Sequence, residues 1–220
     1  MGNDAGKAVC PHCDELFVSL GSHWSASKDC DYPHPTLSER QVLDGLMIAG
    51  GSVRNLEKEG ANPAISIAHH DRDSLQWISD QLGVLVASIS ELDPVSMSPE
   101  KYGHLDEDDV DALYELRTRS LPALSRYIEW YDSGGNRMVP ESVDPSPLLL
   151  KTIGLLSARP AGEGRPRLYL SVAKTQPSKR LIHKLFRLYA PRLTDPHETD
   201  ARVVRLYNTT RFCVDHAPWP

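Results

Sequence analysis

Apolar positions recur with a helical period soon after the first third of the chain's opening hundred residues. Leu43, Leu46, Met47 and Gly50 follow one another at helical spacing, and Thr36 with Glu39 forms the reciprocal capping pair that opens helices. Gly50 and Gly51 end the run, because adjacent glycines supply left-handed backbone freedom. Two extended stretches, 52–55 and 64–70, flank a polar turn and predict a hairpin. Residues 71–82 place Leu75, Ile78 and Leu82 on one helical face, closed by Gly83. Alternation over 112–120 sets Glu115, Arg117 and Arg119 on one strand face and Tyr114, Leu116 and Thr118 on the other. Residues 121–130 read as helical again, and the acidic, proline-dotted 91–111 reads as a solvated excursion.

The pattern then restarts. Ser146 is a natural N-cap, Pro147 suits the first helical position, and 148–157 form a second apolar helix. The alternating stretch 165–174 predicts a strand, and 178–189 an amphipathic helix. Leu43 corresponds to Leu150, Leu46 to Ile153, Gly50 to Ser157, and Ile65 and Ile67 to Leu168 and Leu170. Such a repeat implies an internal duplication with pseudo-two-fold symmetry.

Charge refines this picture. The whole chain carries −6, but residues 151–213 hold 13 Lys or Arg against 4 Asp or Glu, so the remainder is strongly acidic. A basic end beside an acidic remainder suits contact with a polyanion; scattered, solvated cations are the plainer alternative. With 40% hydrophobic and 25% charged residues the composition is that of a globular protein rather than a disordered one. Neither a bilayer-spanning apolar run nor a signal-like start is present, which predicts a cytoplasmic protein with no membrane partner.

Three of the four cysteines lie in CPHCDELFVSLGSHWSASKDC. Cys10 and Cys13 form a Cys-x-x-Cys knuckle, with His23 and Cys30 further on: three thiolates and an imidazole, the donor set of a closed structural zinc site. So short a segment has no core of its own, so the ion would supply folding free energy. His12 and His34 are rival ligands, and a redox Cys-x-x-Cys is the competing reading. Residues 1–35 are therefore expected to be a zinc knuckle and linker.

LDGLMIAGGSV resembles the first motif helix of the LAGLIDADG homing endonucleases, and YIEWYDSGGNRMVPESVDPSPLLLKTIGLL resembles the approach to their second. RLYLSV and KRLIHKLF fit the later strand and helix, so the resemblance spans residues 37–211, and the leading cysteine module resembles a zinc-knuckle variant of that family. The resemblance implies an α+β fold with a duplicated αββαββα core, residues 36–140 and 141–220, acting as a monomer with internal pseudo-two-fold symmetry. Its antiparallel sheets would form a saddle over double-stranded DNA, and small residues such as Gly45, Ala49 and Gly154 would let the motif helices approach closely. It also implies a Mg²⁺-dependent DNA endonuclease with an acidic residue at each motif-helix end. Gly50 and Ser157 occupy those positions, and neither suits a hard cation, so Mg²⁺ is expected only if cleavage is retained. Arg54, Arg117 and Arg119 in the first half, and Arg165, Arg167 and Lys174 in the second, are the expected DNA contacts. The functional expectation is a duplex-DNA-binding protein with a degenerate catalytic site. The alternatives are an active endonuclease using other acids and a non-enzymatic RNA- or protein-interaction module.

Overall fold

The computed structural model describes residues 7–27, 30, 33–55, 61–93, 112–160, 167–173, 176–190, 197–198 and 209–215. Strands β1 (Ala8–Val9) and β2 (Leu16–Phe17) pair antiparallel ahead of helix α1 (Leu20–Ala26). Helix α2 (Leu37–Ala49) follows, and both halves of the expected capping box form: the Glu39 carboxylate accepts from the Thr36 backbone N–H at 2.6 Å, and Thr36 Oγ1 accepts from the Glu39 N–H at 3.3 Å. Every residue from Val42 to Ile48 is buried, so α2 is a central helix rather than a surface one.

The chain then forms β3 (Ser52–Arg54), β4 (Ala64–His69), α3 (Arg72–Leu82), β5 (Val86–Leu92) and β6 (Leu113–Thr118). After a 3-10 segment (Pro122–Trp130) come α4 (Pro147–Ser157), β7 (Ala158–Pro160), β8 (Arg167–Ala173), α5 (Gln176–Tyr189), β9 (His197–Glu198) and β10 (Thr209–Asp215). Ser146 caps α4 as expected, its Oγ accepting from the Leu149 N–H at 3.0 Å. The strands make two antiparallel four-stranded sheets, ordered β3-β4-β6-β5 and β7-β8-β10-β9. Both halves thus have the same element order and the same strand order.

Register tests the proposed equivalences independently of strand order. Continuing the helix correspondence Gly50–Ser157 by three residues matches Val53 with Pro160, and the strand correspondence matches Ile65 with Leu168. Val53 pairs with Ile65 in the first sheet, and Pro160 pairs with Leu168 in the second. A one-residue slip in either correspondence would break this agreement.

Three elements depart from the sequence reading. Strand β5 was not expected, although Val86, Ser88 and Ser90 alternate with Ile89 and Glu91 along it; a register shift between Val86 and Ser88 blurs the period. Glu91 and Leu92 accordingly belong to the sheet, while 94–111 lies outside the described residues. The 121–130 stretch is 3-10 rather than α-helical, and its buried residues Leu124, Tyr127 and Trp130 recur every third position, the period at which 3-10 side chains eclipse.

The two motif helices pack against each other at Gly45. A Cβ added there would stand 2.8 Å from Thr152 Cβ and 3.2 Å from the Leu149 carbonyl oxygen. Thr152 is the counterpart of Gly45 under the helix correspondence. A residue that touches its own equivalent lies on the symmetry axis, so this contact marks the pseudo-two-fold. Thr152 can face the crossing because its hydroxyl is satisfied by the Leu148 carbonyl at 2.8 Å, which leaves its methyl for the helix partner. Gly45→Val is expected to overpack this crossing and destabilise the protein by about 1–3 kcal/mol. Chemical denaturation checks this, and adding Thr152→Ala should recover part of the loss if the contact is responsible.

Candidate functional site

The outward face of the first sheet follows from its register. Ser52, Ser66, Arg117 and Ser88 form one row, and Ala68, Glu115 and Ser90 another. The opposite face carries Val53, Ile65, Ile67 and Leu116, all in the core. Arg54 Nε donates to Ser66 Oγ at 2.8 Å and its Nη2 to Glu115 Oε1 at 3.1 Å, while Arg117 Nη2 lies 3.9 Å from the other Glu115 oxygen. With side chains 50% and 51% exposed, both guanidinium groups remain open to a further anion. The sequence placed Glu115 on the face of Arg117, but not its pairing with Arg54 or the serines around it. Its position opposite Ala68 is a property of pairing, not of local pattern.

Arg119 is placed differently from the expectation. It lies one residue beyond β6 and turns toward the N-terminal module. Its Nε donates to the Val84 carbonyl at 2.9 Å, and its guanidinium sits 5.8 Å from the Trp24 ring centre and against Gly21, where a side chain would collide with it. It joins module to core. In the second sheet, Arg167 is on β8 opposite Asp215, and Arg165 and Lys174 lie outside the described residues. Register adds two arginines that the sequence reading passed over: Arg159 stands opposite Tyr169, and Arg211 opposite Ser171.

Neither of the residues that end the motif helices carries a carboxylate. Gly50 is the C-cap of α2 at φ 133°, backbone that L residues rarely adopt. Ser157 ends α4, and its hydroxyl is buried without a hydrogen-bond partner among the described residues. The nearby acid Asp44 is turned into the core, where Tyr127 Oη donates to its Oδ1 at 2.8 Å. Burial pushes the Asp44 pKa above the ordinary 3.8, against the lowering effects of the Tyr127 hydrogen bond and of Arg126 and Arg40.

Cys10, Cys13, His23 and Cys30 come together, with their ligand atoms all within 4.8 Å of one another. The Cys10–Cys30 sulfurs are 3.7 Å apart, and Cys13 Sγ is 3.5 Å from His23 Nε2. In a tetrahedron with metal–sulfur bonds of about 2.3 Å and metal–nitrogen bonds of about 2.0–2.1 Å, the corresponding edges are about 3.8 and 3.5 Å. These two edges match, so the group could hold one metal ion. Local structure explains the fit: the turn between β1 and β2 is closed by Cys10 N–H to the Glu15 carbonyl at 2.8 Å, with Asp14 at φ 58°, so Cys10 and Cys13 converge. The His23 ring stacks on Phe17 with centres 3.6 Å apart, and the Trp24 indole N–H donates to Cys10 Sγ at 3.3 Å. Burial raises the Cys10 thiol, but hydrogen bonds from the Cys13 and His12 backbone and from the Trp24 and Cys13 side chains outweigh it, lowering the pKa from 9.0 to about 6. A thiol so lowered readily gives the thiolate that binds a metal.

No family model matches the sequence, and no curated protein matches it significantly. Among solved structures, the fold is similar to the homing endonuclease I-WcaI bound to its DNA recognition sequence, with a TM-score of 0.61 at 5% identity over 90% of this chain and 88% of that one. I-DmoI in complex with DNA and Mn matches at 15% identity over 80% of this chain and 89% of that one, but its TM-score of 0.42 is too low to add to the comparison. The fold is that of the LAGLIDADG homing endonucleases, as the motif helices implied. Among the described residues, no helix is long and apolar enough to cross a membrane.

Two outcomes follow for these groups. Because the Asp44 pKa is raised on folding, its contribution is fully present below the unfolded value and is lost as pH rises through the folded one. Asp44→Asn cannot ionise and keeps an acceptor for Tyr127, so its stability relative to the parent should grow as pH rises from roughly 4, as measured by urea denaturation at several pH values. For the cysteine group, elemental analysis should find about one ion per chain, lost in Cys13→Ala, with Cys10 becoming reactive toward thiol reagents on chelation.

Proposed function

We propose that this protein binds double-stranded DNA across its two sheets and has lost metal-dependent cleavage. The observation that carries the proposal is a repeated arginine set on a duplicated fold: Arg54 and Arg117 on the outward face of the first sheet, and Arg159, Arg167 and Arg211 at register positions that share one face of the second. Such rows suit a duplex backbone, because guanidinium groups bind phosphate through paired donors and serines add neutral ones. Arg165 and Lys174, also expected as contacts from the sequence, lie outside the described residues. The excess of positive charge in 151–213 agrees in sign and in location. DNA is also the ligand named for I-WcaI, the similar structure.

Loss of cleavage rests on the helix ends. Mg²⁺ requires oxygen ligands, preferably carboxylates, and positions 50 and 157 supply none. Asp44 is engaged with Tyr127, and the left-handed backbone at Gly50 disfavours any side chain there. The residues present therefore do not fit a catalytic divalent ion at these ends. We take the ion of the cysteine group to be zinc, which favours this mixture of thiolate and imidazole and fills a closed four-ligand site structurally. The chain acts as a monomer in this reading, since both sheets of the saddle come from one polypeptide.

Selection of bound duplexes from a random pool, with and without Mg²⁺, tests the proposal. The expected result is salt-sensitive enrichment of duplexes without nicking in either condition. Absence of duplex affinity at low salt overturns the binding claim, and Mg²⁺-dependent nicking overturns the claim of lost cleavage.

A further inference from the structure

A cation stands where the motif helix ends. Residues 131–137 form a tight loop closed by the Tyr131–Arg137 bridge, with the Asp132 carboxylate accepting the N–H groups of Gly134 and Asn136 at 2.8 Å each. This loop delivers the Arg137 side chain to the end of α2, where Nη1 donates to the Gly51 carbonyl. Gly51 directly precedes Ser52, the first residue of the outward row that runs through Ser66 to Arg117. Arg137 Nε is buried and unpartnered, and no carboxylate pairs with the guanidinium among the described residues. A part-buried guanidinium without an anion is costly, and its charge cannot be shed. The carbonyl end of α2 offsets some of that cost.

The equivalent end of α4 presents the unpartnered, buried Ser157 hydroxyl. Thus one helix end carries spare donors and a fixed positive charge, and the other a neutral hydroxyl. Neither resembles a cation site, and the guanidinium at the end of α2 suits an oxyanion. We propose that Arg137 binds a backbone phosphate of the duplex at the end of α2, so that a guanidinium fixed by Gly51 holds the anion beside a helix that ends in Gly50 rather than in an acid. This deepens the DNA-binding reading above and rests on it for the identity of the anion's carrier.

The test compares the parent protein with Arg137→Gln and Arg137→Lys, with thermal melting used to check folding. One lost phosphate contact should make the slope of log K against log salt shallower by about 0.9 in Arg137→Gln, in EDTA as in Mg²⁺, while Arg137→Lys keeps the slope. Pyrophosphate is the second probe, and it should raise the melting temperature of the parent protein but not that of Arg137→Gln. An unchanged salt slope in a folded Arg137→Gln, or no pyrophosphate stabilisation of the parent protein, overturns the assignment while leaving duplex binding intact. Failure of the parent protein to bind any duplex overturns the DNA reading instead, and the pyrophosphate comparison still decides whether Arg137 is an anion site. Should Arg137→Gln not fold, Arg137→Met carries the test: a slope shallower by about 0.9 with loss of the pyrophosphate response supports the site, and retention of both overturns it.

Discussion

The crossing of α2 and α4 at Gly45 and Thr152 is the contact on which the rest of the structure depends. Two apolar helices can bury most of their surface only if their backbones approach closely, and a glycine on the axis permits that approach. Each helix then leads directly into the first strand of its sheet, so the helix crossing also sets how the two sheets stand to one another. The outward row of the first sheet inherits its position from it. A change at Gly45 would therefore reach the candidate DNA face without touching any residue on it.

The N-terminal module is joined to this core rather than merely tethered to it. Cys10, Trp24 and Cys30 belong to the same buried cluster as the motif helices. Arg119 bridges the two parts, bonded to Val84 on one side and set over Trp24 on the other. Because Trp24 also donates to Cys10, the metal group, the indole and the end of β6 form one chain of contacts. The cysteine and histidine group is thereby in contact with the first sheet's edge through Trp24 and Arg119.

Among the described residues, three carboxylates are engaged in positioning other groups. Glu115 holds Arg54 and Arg117 in place without neutralising their exposed sides, and Asp132 shapes the loop that carries Arg137. Asp44 is consumed in the core by Tyr127. Each of these carboxylates serves to position something else. The residues that end the motif helices are Gly50 and Ser157.

By itself the sequence determined the local elements and the repeat. The capping box at Thr36, the N-cap at Ser146, the glycine stop at Gly50 and the alternation around Leu116 depend on near neighbours, so all were legible. The cysteine and histidine spacing was legible for the same reason, since a tight turn brings Cys10 and Cys13 together within a few residues. Tertiary structure decided what pattern could not carry. It turned Arg119 toward Trp24, set Glu115 between two arginines, paired Arg159 with Tyr169 and Arg211 with Ser171, and brought Arg137 to Gly51 from far along the chain. These depend on strand pairing and loop closure between distant segments. Such contacts are set by the fold's register rather than by residue type, which is why the arginines were visible as charges before their partners were visible at all.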